Sequence, residues 1–285
     1  MPAATLMDGR ALAARLRQEL KGEIADYGAV RLATVLVGDD PASHVYIRLK
    51  HKAAQEVGIE SLDKRLPADT SEAEVLELVE ELNADDSVDG ILVQTPLPDH
   101  IDEARVMRTL DPMKDVDGLH PFNAGQLFLG HETLVGGTPM GVMRLLAEYK
   151  IPVAGARAVV VGRSLIVGRP LSMLLLHANA TVTICHSRTA DLPRHTLDAD
   201  ILVAAVGSLG LITEDMVKVG AAVIDVGVNR TDEGLFGDVD PGVADVAAFL
   251  TPVPGGVGPM TIACLLQNAL KTARYRSGAL AFPRI

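Results

Sequence analysis

The sequence predicts an α/β protein of two domains, each built around a parallel sheet, with the two sheets flanking a cleft. Three observations carry this prediction: a length of 285 residues, apolar strand-like runs that alternate with helix-like runs, and a glycine loop that joins one such pair in the second half. Alternation of this kind is typical of parallel sheets covered by helices. A chain of this length can bury two separate cores.

The first half opens with a helix over residues 8–27, in which Leu or Ile recurs every fourth position, with Asp8 as its cap and Gly28 at its end. A buried strand over Arg31–Val37 follows. The remaining elements are a helix over residues 41–57, a short strand after Gly58, a helix that begins at a Ser71-Glu-Ala-Glu74 capping box, and a strand over residues 90–94.

The second half follows a loop-rich stretch over residues 111–137, after which Thr138-Pro139 caps a helix. Its predicted elements are strands over residues 157–161, 180–185, 201–206 and 221–226, a helix over residues 171–178, and a last helix from residue 262 to about residue 276. We therefore predict a first domain over residues 1–138, completed by the last helix in residues 262–285, and a second domain over residues 139–261.

The glycine loop runs from Gly162 to Gly168, between a strand-like run and an apolar helix-like run. Exposed backbone N–H groups and the positive end of a helix dipole converge at such a junction and can hold a phosphate. The spacing is not Gly-x-Gly-x-x-Gly, and an ordinary βα turn is the alternative for the loop taken alone. Together with the second strand it predicts a Rossmann-type dinucleotide-binding domain.

Acidic residues are missing around this loop. Residues 149–190 contain no Asp or Glu, although the chain carries 37 acids. The second strand of the unit ends in His186-Ser187-Arg188, close to the position where a dinucleotide fold offers a carboxylate to the adenosine ribose. A carboxylate would repel a 2′-phosphate, whereas a serine and an arginine can bind it. The sequence therefore favours NADP over NAD.

Composition excludes several other classes of protein. The net charge of −11, without a Lys/Arg-rich block, argues against nucleic acid as the main partner. No apolar run reaches the length of a membrane span, and the first ten residues lack a signal pattern, so we expect a cytoplasmic protein. Cys185 and Cys264 are expected to be buried thiols, and the histidine spacing supports no metal site.

Tyr46 and Lys50 are the first candidates for chemistry. They stand at i and i+4 of a predicted helix, so both project from one face. A half-buried tyrosine beside a solvated lysine is the structural alternative. Tyr-x-x-x-Lys also occurs in short-chain dehydrogenases, but there it follows the glycine loop, whereas here it precedes Gly162 by more than a hundred residues.

Two further motifs follow predicted strand or loop positions. Gln94 places a neutral amide after a strand, with Pro96 and Pro98 stiffening the chain behind it. Asp115 and Asp117 stand two residues apart in Lys114-Asp-Val-Asp-Gly118. A Ca²⁺ loop is a poor alternative here, because a third oxygen ligand and a terminal Glu are missing. No Gly-x-Ser-x-Gly elbow is present, which removes the simplest serine-hydrolase interpretation.

Five motifs in order make the chain similar to the methylenetetrahydrofolate dehydrogenase/cyclohydrolase family. They are Tyr46-Ile-Arg-Leu-Lys50, Gln94-Thr-Pro-Leu-Pro98, Lys114-Asp-Val-Asp-Gly-Leu-His-Pro121, Gly162-Arg-Ser-Leu-Ile-Val-Gly-Arg-Pro170 and Pro254-Gly-Gly-Val-Gly-Pro-Met-Thr261. The chain departs from the family at two places, with Thr95 where Leu is usual and Gly136-Gly137-Thr138-Pro139 in place of Pro-Cys-Thr-Pro.

The resemblance implies two reactions: oxidation of 5,10-methylenetetrahydrofolate by NADP⁺, and hydrolysis of the methenyl product to 10-formyltetrahydrofolate. It also implies a cytoplasmic homodimer in one-carbon metabolism that serves purine, histidine and methionine biosynthesis. Lys50 is expected to activate water, with its pKa lowered by burial and by Arg48, Lys52 and the substrate cation. Gln94 would hold its amine.

Further residue roles are carried over from the family. Tyr46 would pack against the folate or hydrogen-bond to it, Asp117 would accept hydrogen bonds from the pterin, and Pro254 and Gly255 would lie over the folate from the other domain. The implied cofactor contacts are Thr138, Gly162, Arg163, Ser164, Ile166, Val167, Ser187, Gly207, Val228 and Thr261. Arg163 and Arg188 are the candidates for the 2′-phosphate. Arg163 matches the family motif, whereas Arg188 is added from its position alone, and a solvated strand-end charge is its alternative.

Two other functions fit parts of the pattern. A two-domain dehydrogenase of the shikimate or amino-acid type has the same domain order but would ignore folate. A catalytically silent dinucleotide-binding sensor would bind NADP without turnover, and the joint presence of Tyr46, Lys50, Gln94 and Asp117 argues against it.

Overall fold

The computed structural model describes residues 3–283, without the side chains of residues 41–43. The chain forms two compact units. The first unit contains residues 15–136 and the C-terminal segment from Ile262, and the second contains residues 137–261 together with the N-terminal segment up to Ala14. The predicted α/β class with two parallel sheets is confirmed. The structure differs at the N-terminus, because residues 3–14 are in the second unit instead of the first.

The first unit is built on a parallel sheet of three strands, in the order β3-β2-β4. Its strands are β2 (Arg31–Val37), β3 (Glu60–Leu66) and β4 (Gly90–Val93). Its helical segments are the greater part of α1 (Gly9–Tyr27), then α2 (Pro41–Val57), α3 (Glu72–Ala84), α4 (Glu103–Thr109), α5 (Pro121–Phe128), and most of α9 (Val257–Arg276).

Alternate residues of β2 build the two cores of this unit, because successive side chains of a strand point to opposite faces. Leu32 packs in one core, which also contains Ala53 and Val57 of α2 and Leu266 of α9. Ala33, Val35 and Val37 pack in the other core, against apolar residues of α3 and α4. Helix α2 is therefore held against one face of the sheet by its apolar side.

The second unit contains a six-stranded parallel sheet in the order β1-β11-β8-β7-β5-β6. The strands are β1 (Thr5–Leu6), β5 (Arg157–Val161), β6 (Thr181–Cys185), β7 (Ile201–Ala204), β8 (Ala222–Asp225) and β11 (Phe249–Leu250), and a separate hairpin consists of β9 (Asn229–Thr231) and β10 (Gly234–Phe236). The helices are α6 (Gly137–Glu148), α7 (Gly168–His177) and α8 (Leu192–Thr196), with single 3₁₀ turns at Glu214–Met216 and Pro241–Asp245.

Several predicted boundaries match the structure closely. The Asp8 carboxylate caps α1 by accepting the N–H of Ala11 at 3.0 Å, and the capping box at Ser71 is formed in full. Other predictions were wrong in detail. Helix α5 lies inside the stretch predicted as loop, and α9 begins at Val257, so the end of the proline- and glycine-rich motif is helical.

Candidate active site

Lys50 and Gln94 meet in the first unit. Helix α2 carries Lys50, and Gln94 directly follows β4, where its N–H continues the sheet by donating to the carbonyl of Val35 at 2.9 Å. The Lys50 Nζ donates to Gln94 Oε1 at 3.0 Å. The Gln94 side-chain NH₂ donates to the Thr95 carbonyl at 2.7 Å, which turns the amide oxygen toward the amine. The predicted pairing of these two side chains is present.

Burial lowers the pKa of the Lys50 amine, while the carboxylate of Asp117 partly opposes that shift. A charged ammonium loses its hydration in such a position, so a larger fraction of Lys50 is in the neutral amine form at a given pH. Arg48 and Lys52, which the sequence analysis names as contributing cations, have exposed side chains on the same helix. The low pKa therefore comes from desolvation and not from these neighbours.

Tyr46 lies one helical turn before Lys50 and is 41% exposed. Residues at i and i+4 share a helix face, so Tyr46 and Lys50 lie on the same side of α2. A role for the Tyr46 ring beside the Lys50 amine stays a prediction.

The loop that carries Asp117 is held by its two preceding polar residues. Lys114 is 1% exposed, and its ammonium donates to the carbonyls of Leu82, Asn83 and Asp85 at 2.7–2.8 Å. These carbonyls lie at the C-terminus of α3, where the helix dipole favours a cation. Lys114 therefore fastens the start of the loop to α3.

Asp115 is equally buried and serves the other end of the loop. Its carboxylate accepts the N–H of His120 at 2.8 Å and the Asn123 Nδ2 at 2.9 Å, which fixes the start of α5. The Val116 carbonyl accepts the side-chain amide of Asn268 on α9 at 2.7 Å. Two of the three charged residues in this motif are thus structural.

Asp117 is the half-buried acid of the motif. Burial raises the pKa of its carboxyl, the positive charge of Lys50 lowers it, and the charge of Asp115 raises it again. Lys50 and Asp117 consequently influence each other's protonation. Lys50 is thus linked to Gln94 by a hydrogen bond and to Asp117 by charge.

The second unit contains the glycine loop, between β5 and α7. Gly162 has a φ of +133°, and a Cβ there would clash with the carbonyl of Ala205, while a Cβ on Gly168 would clash with the carbonyl of Gly162. The Ser164 hydroxyl accepts the N–H groups of Val167 and Gly168 at 3.1 and 3.3 Å. A tight turn without side chains at its glycines lets a phosphate group approach the backbone closely, so the residues of this loop fit the phosphates of a dinucleotide.

The other predicted cofactor residues of this unit lie in loops that follow neighbouring strands. Ser187 and Arg188 follow β6, Gly207 follows β7, and Val228 follows β8. Since carboxyl ends of parallel strands meet at one edge of a sheet, these loops share that edge with Gly162.

Six more predicted residues lie in loops or helices of the second unit. Arg163 and Ile166 are exposed in the glycine loop, and Pro254 and Gly255 follow β11. Thr138 on α6 and Thr261 on α9 are in contact through their hydroxyls, at 2.8 Å.

Among residues 3–283, no helix is long and apolar enough to cross a membrane. Within the same range, no three or more side chains of His, Cys, Asp or Glu are grouped as metal ligands. Cys185 and Cys264 are both buried, as predicted.

Two family models cover most of the sequence. The tetrahydrofolate dehydrogenase/cyclohydrolase catalytic domain matches residues 7–117, and the tetrahydrofolate dehydrogenase/cyclohydrolase NAD(P)-binding domain matches residues 136–277. The chain belongs to the tetrahydrofolate dehydrogenase/cyclohydrolase family. Membership disfavours both alternatives raised from the sequence, the shikimate-type dehydrogenase and the silent sensor.

Individual members of the family are similar over nearly their whole length. The bifunctional protein FolD of Methanospirillum hungatei is 54% identical over 275 residues, which cover 96% of this chain and 99% of that protein. The crystal structure of the bifunctional FolD enzyme of Campylobacter jejuni has a TM-score of 0.93 at 48% identity, covering 96% of this chain and 100% of its own.

A third relative was solved with its cofactor. The Trypanosoma brucei dehydrogenase-cyclohydrolase, complexed with NADP and an inhibitor, has a TM-score of 0.93 at 39% identity, covering 98% of this chain and 100% of its own. Together the matches confirm the predicted family, its dehydrogenase and cyclohydrolase activities, and NADP as the cofactor.

Proposed function

We propose that this enzyme oxidises 5,10-methylenetetrahydrofolate with NADP⁺ and hydrolyses the methenyl product to 10-formyltetrahydrofolate, with Lys50 as the group that activates water. The hydrogen bond of 3.0 Å between the Lys50 amine and Gln94 Oε1 carries this assignment. A half-buried lysine held by a neutral amide, with its pKa lowered by desolvation, can stay uncharged beside a cationic substrate.

In the oxidation, the carbon that bridges two folate nitrogens loses a hydride, and a nitrogen lone pair forms the new C=N bond of the methenyl cation. The nicotinamide of bound NADP⁺ supplies the hydride acceptor. No hydroxyl proton has to be removed, so the step needs no alcohol-type base. The enzyme's contribution is orientation, which is worth several orders of magnitude when the reacting atoms are held in contact.

In the hydrolysis, a water oxygen bonds to the methenyl carbon while one water proton passes to the neutral Lys50 amine. The tetrahedral carbon then expels one folate nitrogen as its remaining hydroxyl becomes the formyl carbonyl, and the hydroxyl proton moves to that nitrogen. Lys50 returns its proton to solvent. The balance is one water consumed and one proton released.

We assign the surrounding residues to binding the folate. Tyr46 offers an exposed ring face, and Asp117 offers a carboxylate to the amino edge of the pterin. Pro254 and Gly255 are assigned to the folate from the family motif. Gln94 is assigned to holding the amine, because its amide oxygen accepts a hydrogen bond from the amine but is not protonated at neutral pH.

For NADP we assign Gly162, Arg163, Ser164, Ile166 and Val167 to the phosphate loop. Ser187 is assigned to the ribose end, Arg163 and Arg188 are the candidates for the 2′-phosphate, and Thr138, Gly207, Val228 and Thr261 complete the proposed contacts. Support comes from the bare backbone of the glycine loop and from the absence of any acid over residues 149–190.

We also propose a cytoplasmic homodimer that does not bind nucleic acid and that supplies one-carbon units to purine, histidine and methionine biosynthesis. The family resemblance and the net charge of −11 support this assignment. Sedimentation of the purified enzyme gives its oligomeric state directly, and a monomer would contradict the proposal.

Substitution of Lys50 by Met tests the mechanism. The variant keeps the length of the side chain but loses the amine, so we expect methenyltetrahydrofolate hydrolysis to fall by at least about 100-fold, the contribution typical of a general base. Binding of NADP⁺ should stay within about twofold, because no proposed cofactor contact is changed. Loss of methenyl absorbance and a fluorescence titration with NADPH measure the two quantities.

Lys52→Met is the matched control, since Lys52 is an exposed lysine on the same helix. It should hydrolyse the methenyl substrate at the wild-type rate. If Lys50→Met retained hydrolysis, or if both variants lost it equally, Lys50 would not be the base.

A further inference from the structure

Two buried carboxylates lie at the carboxyl edge of the six-stranded sheet. Asp225 ends β8 and is 4% exposed, and Asp238 follows β10 and is fully buried. The sequence motifs did not single out either residue. Burying a carboxylate costs free energy unless its oxygens are hydrogen-bonded. The hydrogen-bond partners of the two acids therefore indicate which parts of the backbone they hold.

Asp238 binds the loop that follows β7. Its Oδ2 accepts the N–H groups of Val206 and Gly207 at 2.8 and 3.0 Å, and its Oδ1 accepts the N–H of Ser208 at 2.7 Å. Three successive amides thus close around one carboxylate, as in an anion nest. The Asn229 side-chain amide, which follows β8, donates to the same Oδ1 at 3.0 Å.

Asp225 in turn holds the segment that carries Asp238. Its Oδ1 accepts the N–H of Asp238 at 2.9 Å and that of Gly227 at 3.1 Å, and its Oδ2 accepts the N–H of Val239 at 3.0 Å. The two carboxylates therefore connect three stretches of backbone: the loop after β7, the loop after β8, and the segment after β10.

Two glycines make this close packing possible. A Cβ on Gly227 would clash with the carboxylate of Asp238, and a Cβ on Gly237 would clash with the carboxylate of Asp225. Each acid thus lies directly against the backbone of the loop that it organises. The arrangement has little room to shift, because any side chain at these two positions would displace a carboxylate.

The loops that Asp238 connects carry Gly207 and Val228, to which the proposed function assigns contacts with NADP. We infer that Asp238 is a positioning residue for NADP, shaping the loop over residues 206–208, with Asp225 holding Asp238 in place. The inference rests on the proposed function. The three amides of this loop are taken up by Asp238, while residues 206–208 are exposed and a Cβ on Gly207 would meet nothing within 4 Å, so the outer side of the loop is open.

Asp238→Asn tests the inference. The variant keeps the volume of the side chain but places an NH₂ group against backbone N–H groups, so at least one amide loses its acceptor. We expect the KM for NADP⁺ in the dehydrogenase reaction to rise by about tenfold, in line with the loss of a hydrogen bond to a charged group. Hydrolysis of methenyltetrahydrofolate, which needs no cofactor, should stay within about twofold of wild type.

Asp240→Asn is the control, because Asp240 also accepts a backbone N–H, that of Gly242 at 2.8 Å, but binds neither loop. Its KM for NADP⁺ should equal that of wild type. A parallel fall of both activities in Asp238→Asn would indicate a merely structural role and overturn the inference, as would an unchanged KM for NADP⁺.

If Asp238→Asn does not fold, Asn229→Ala gives a milder test by removing one donor to Asp238. We expect a rise of about threefold in the KM for NADP⁺ with unchanged hydrolysis, and an unchanged KM would again overturn the inference. Wild-type enzyme is assayed first. If it shows no NADP-dependent dehydrogenase activity, the proposed function itself fails, which is a different result from a variant that behaves like an active wild type.

Discussion

Two lysines of the first unit, Lys114 and the proposed base Lys50, meet very different sets of acceptors. Lys114 is buried, and its ammonium group donates to three backbone carbonyls at the C-terminus of α3. An ammonium has three N–H donors, so every one of them has an acceptor. Lys50 donates to one amide oxygen, Gln94 Oε1, at 3.0 Å. Burial lowers the pKa of both lysines, so the number and kind of acceptors distinguish the structural Lys114 from Lys50, the proposed base.

The charge of Asp117 should set the pH range of the cyclohydrolase. This carboxylate raises the pKa of Lys50 against the larger lowering by burial. The proposed mechanism needs Lys50 in its neutral form. Asp117→Asn removes the charge, so the pKa of Lys50 should fall further. We expect the acid limb of kcat for hydrolysis, measured with saturating methenyl substrate, to move to lower pH, whatever happens to KM.

Asp111→Asn is the control for this shift, since Asp111 lies in the same loop and accepts the N–H of Met113. Its acid limb should coincide with that of wild type. A limb that stays in place or moves to higher pH in Asp117→Asn would contradict the electrostatic coupling between Lys50 and Asp117.

At the residue scale, sequence reasoning could identify groups that lie at strand ends or one helical turn apart. Lys50 and Gln94 are 44 positions apart, yet both follow from these local rules, and the structure brings them together. Burial was correctly predicted to lower the pKa of Lys50, but the expected contribution of Arg48 and Lys52 was wrong, because both side chains are exposed, and the opposing charge of Asp117 comes from a distant segment that helix spacing does not reveal. Asp238 was missed for the same reason, since its partners in the loop after β7 are about 30 residues away.

At the scale of elements, the parallel order of β8, β7, β5 and β6 determines which loops can share a ligand. The loop after β5 has no side chain at Gly162, the loop after β6 carries a serine and an arginine, and the loop after β7 donates its backbone N–H groups to Asp238. These three loops differ in chemistry, although they continue neighbouring parallel strands. The first two suit anionic groups best, because they offer open backbone and positive charge.

The loop after β6 should carry the preference for NADP. Arg188 is exposed, in a turn closed by the N–H of Thr189 and the carbonyl of His186. Arg188→Ala should lower kcat/KM for NADP⁺ by about tenfold or more, the typical loss for a charge-assisted contact with phosphate, and leave kcat/KM for NAD⁺ within about twofold. Initial rates with each cofactor measure the ratio.

Arg194→Ala, in the short helix α8 of the same unit, provides the comparison and should leave both values unchanged. An equal fall with both cofactors would show that Arg188 does not read the 2′-phosphate. No change with either would mean that Arg188 is only a solvated charge at the end of a strand.

Elements were predictable where a repeat of apolar residues coincided with a cap or a glycine. Strands β2 and β5 and the start of α3 matched the prediction for this reason. Helix α5 was missed because its cap is the ring nitrogen of His120 and the segment has few residues. The short strands β1 and β11 could not be predicted, because two residues show no periodicity and their pairing is decided by the sheet.

For the whole molecule, buried acids make stability depend on pH. Burial raises the pKa of Asp115, of Asp117 and of Asp225, the last to about 6. An acid whose pKa is raised by folding binds more protons in the native state than in the unfolded state. Its contribution to the free energy of unfolding is therefore largest below its ordinary pKa and falls as pH rises through the higher folded value.

Asp225 should account for a measurable part of this dependence. Between its ordinary pKa of 3.8 and about 6, ionisation should cost roughly 3 kcal/mol of stability, at 1.36 kcal/mol per pKa unit. Asp225→Asn does not titrate. Urea unfolding of both proteins from pH 4 to pH 7 should therefore show the wild type losing stability relative to the variant by about that amount.

A pH-independent difference between wild type and Asp225→Asn would mean that Asp225 keeps an ordinary pKa. Wild type and Asp225→Asn both contain Asp115 and Asp117, so the titration of these two acids cancels when the two proteins are compared.

Strand β1, at Thr5–Leu6, pairs with β11 at the border of the six-stranded sheet, although more than 240 residues separate the two in the chain. A gene fragment that encodes only residues 137–261 would omit it and leave the polar backbone of β11 open to other chains, a known route to aggregation. Anyone who wishes to produce the dinucleotide-binding half alone, or to exchange it between enzymes, should therefore supply the first 14 residues as well, for example as a fused or co-expressed peptide.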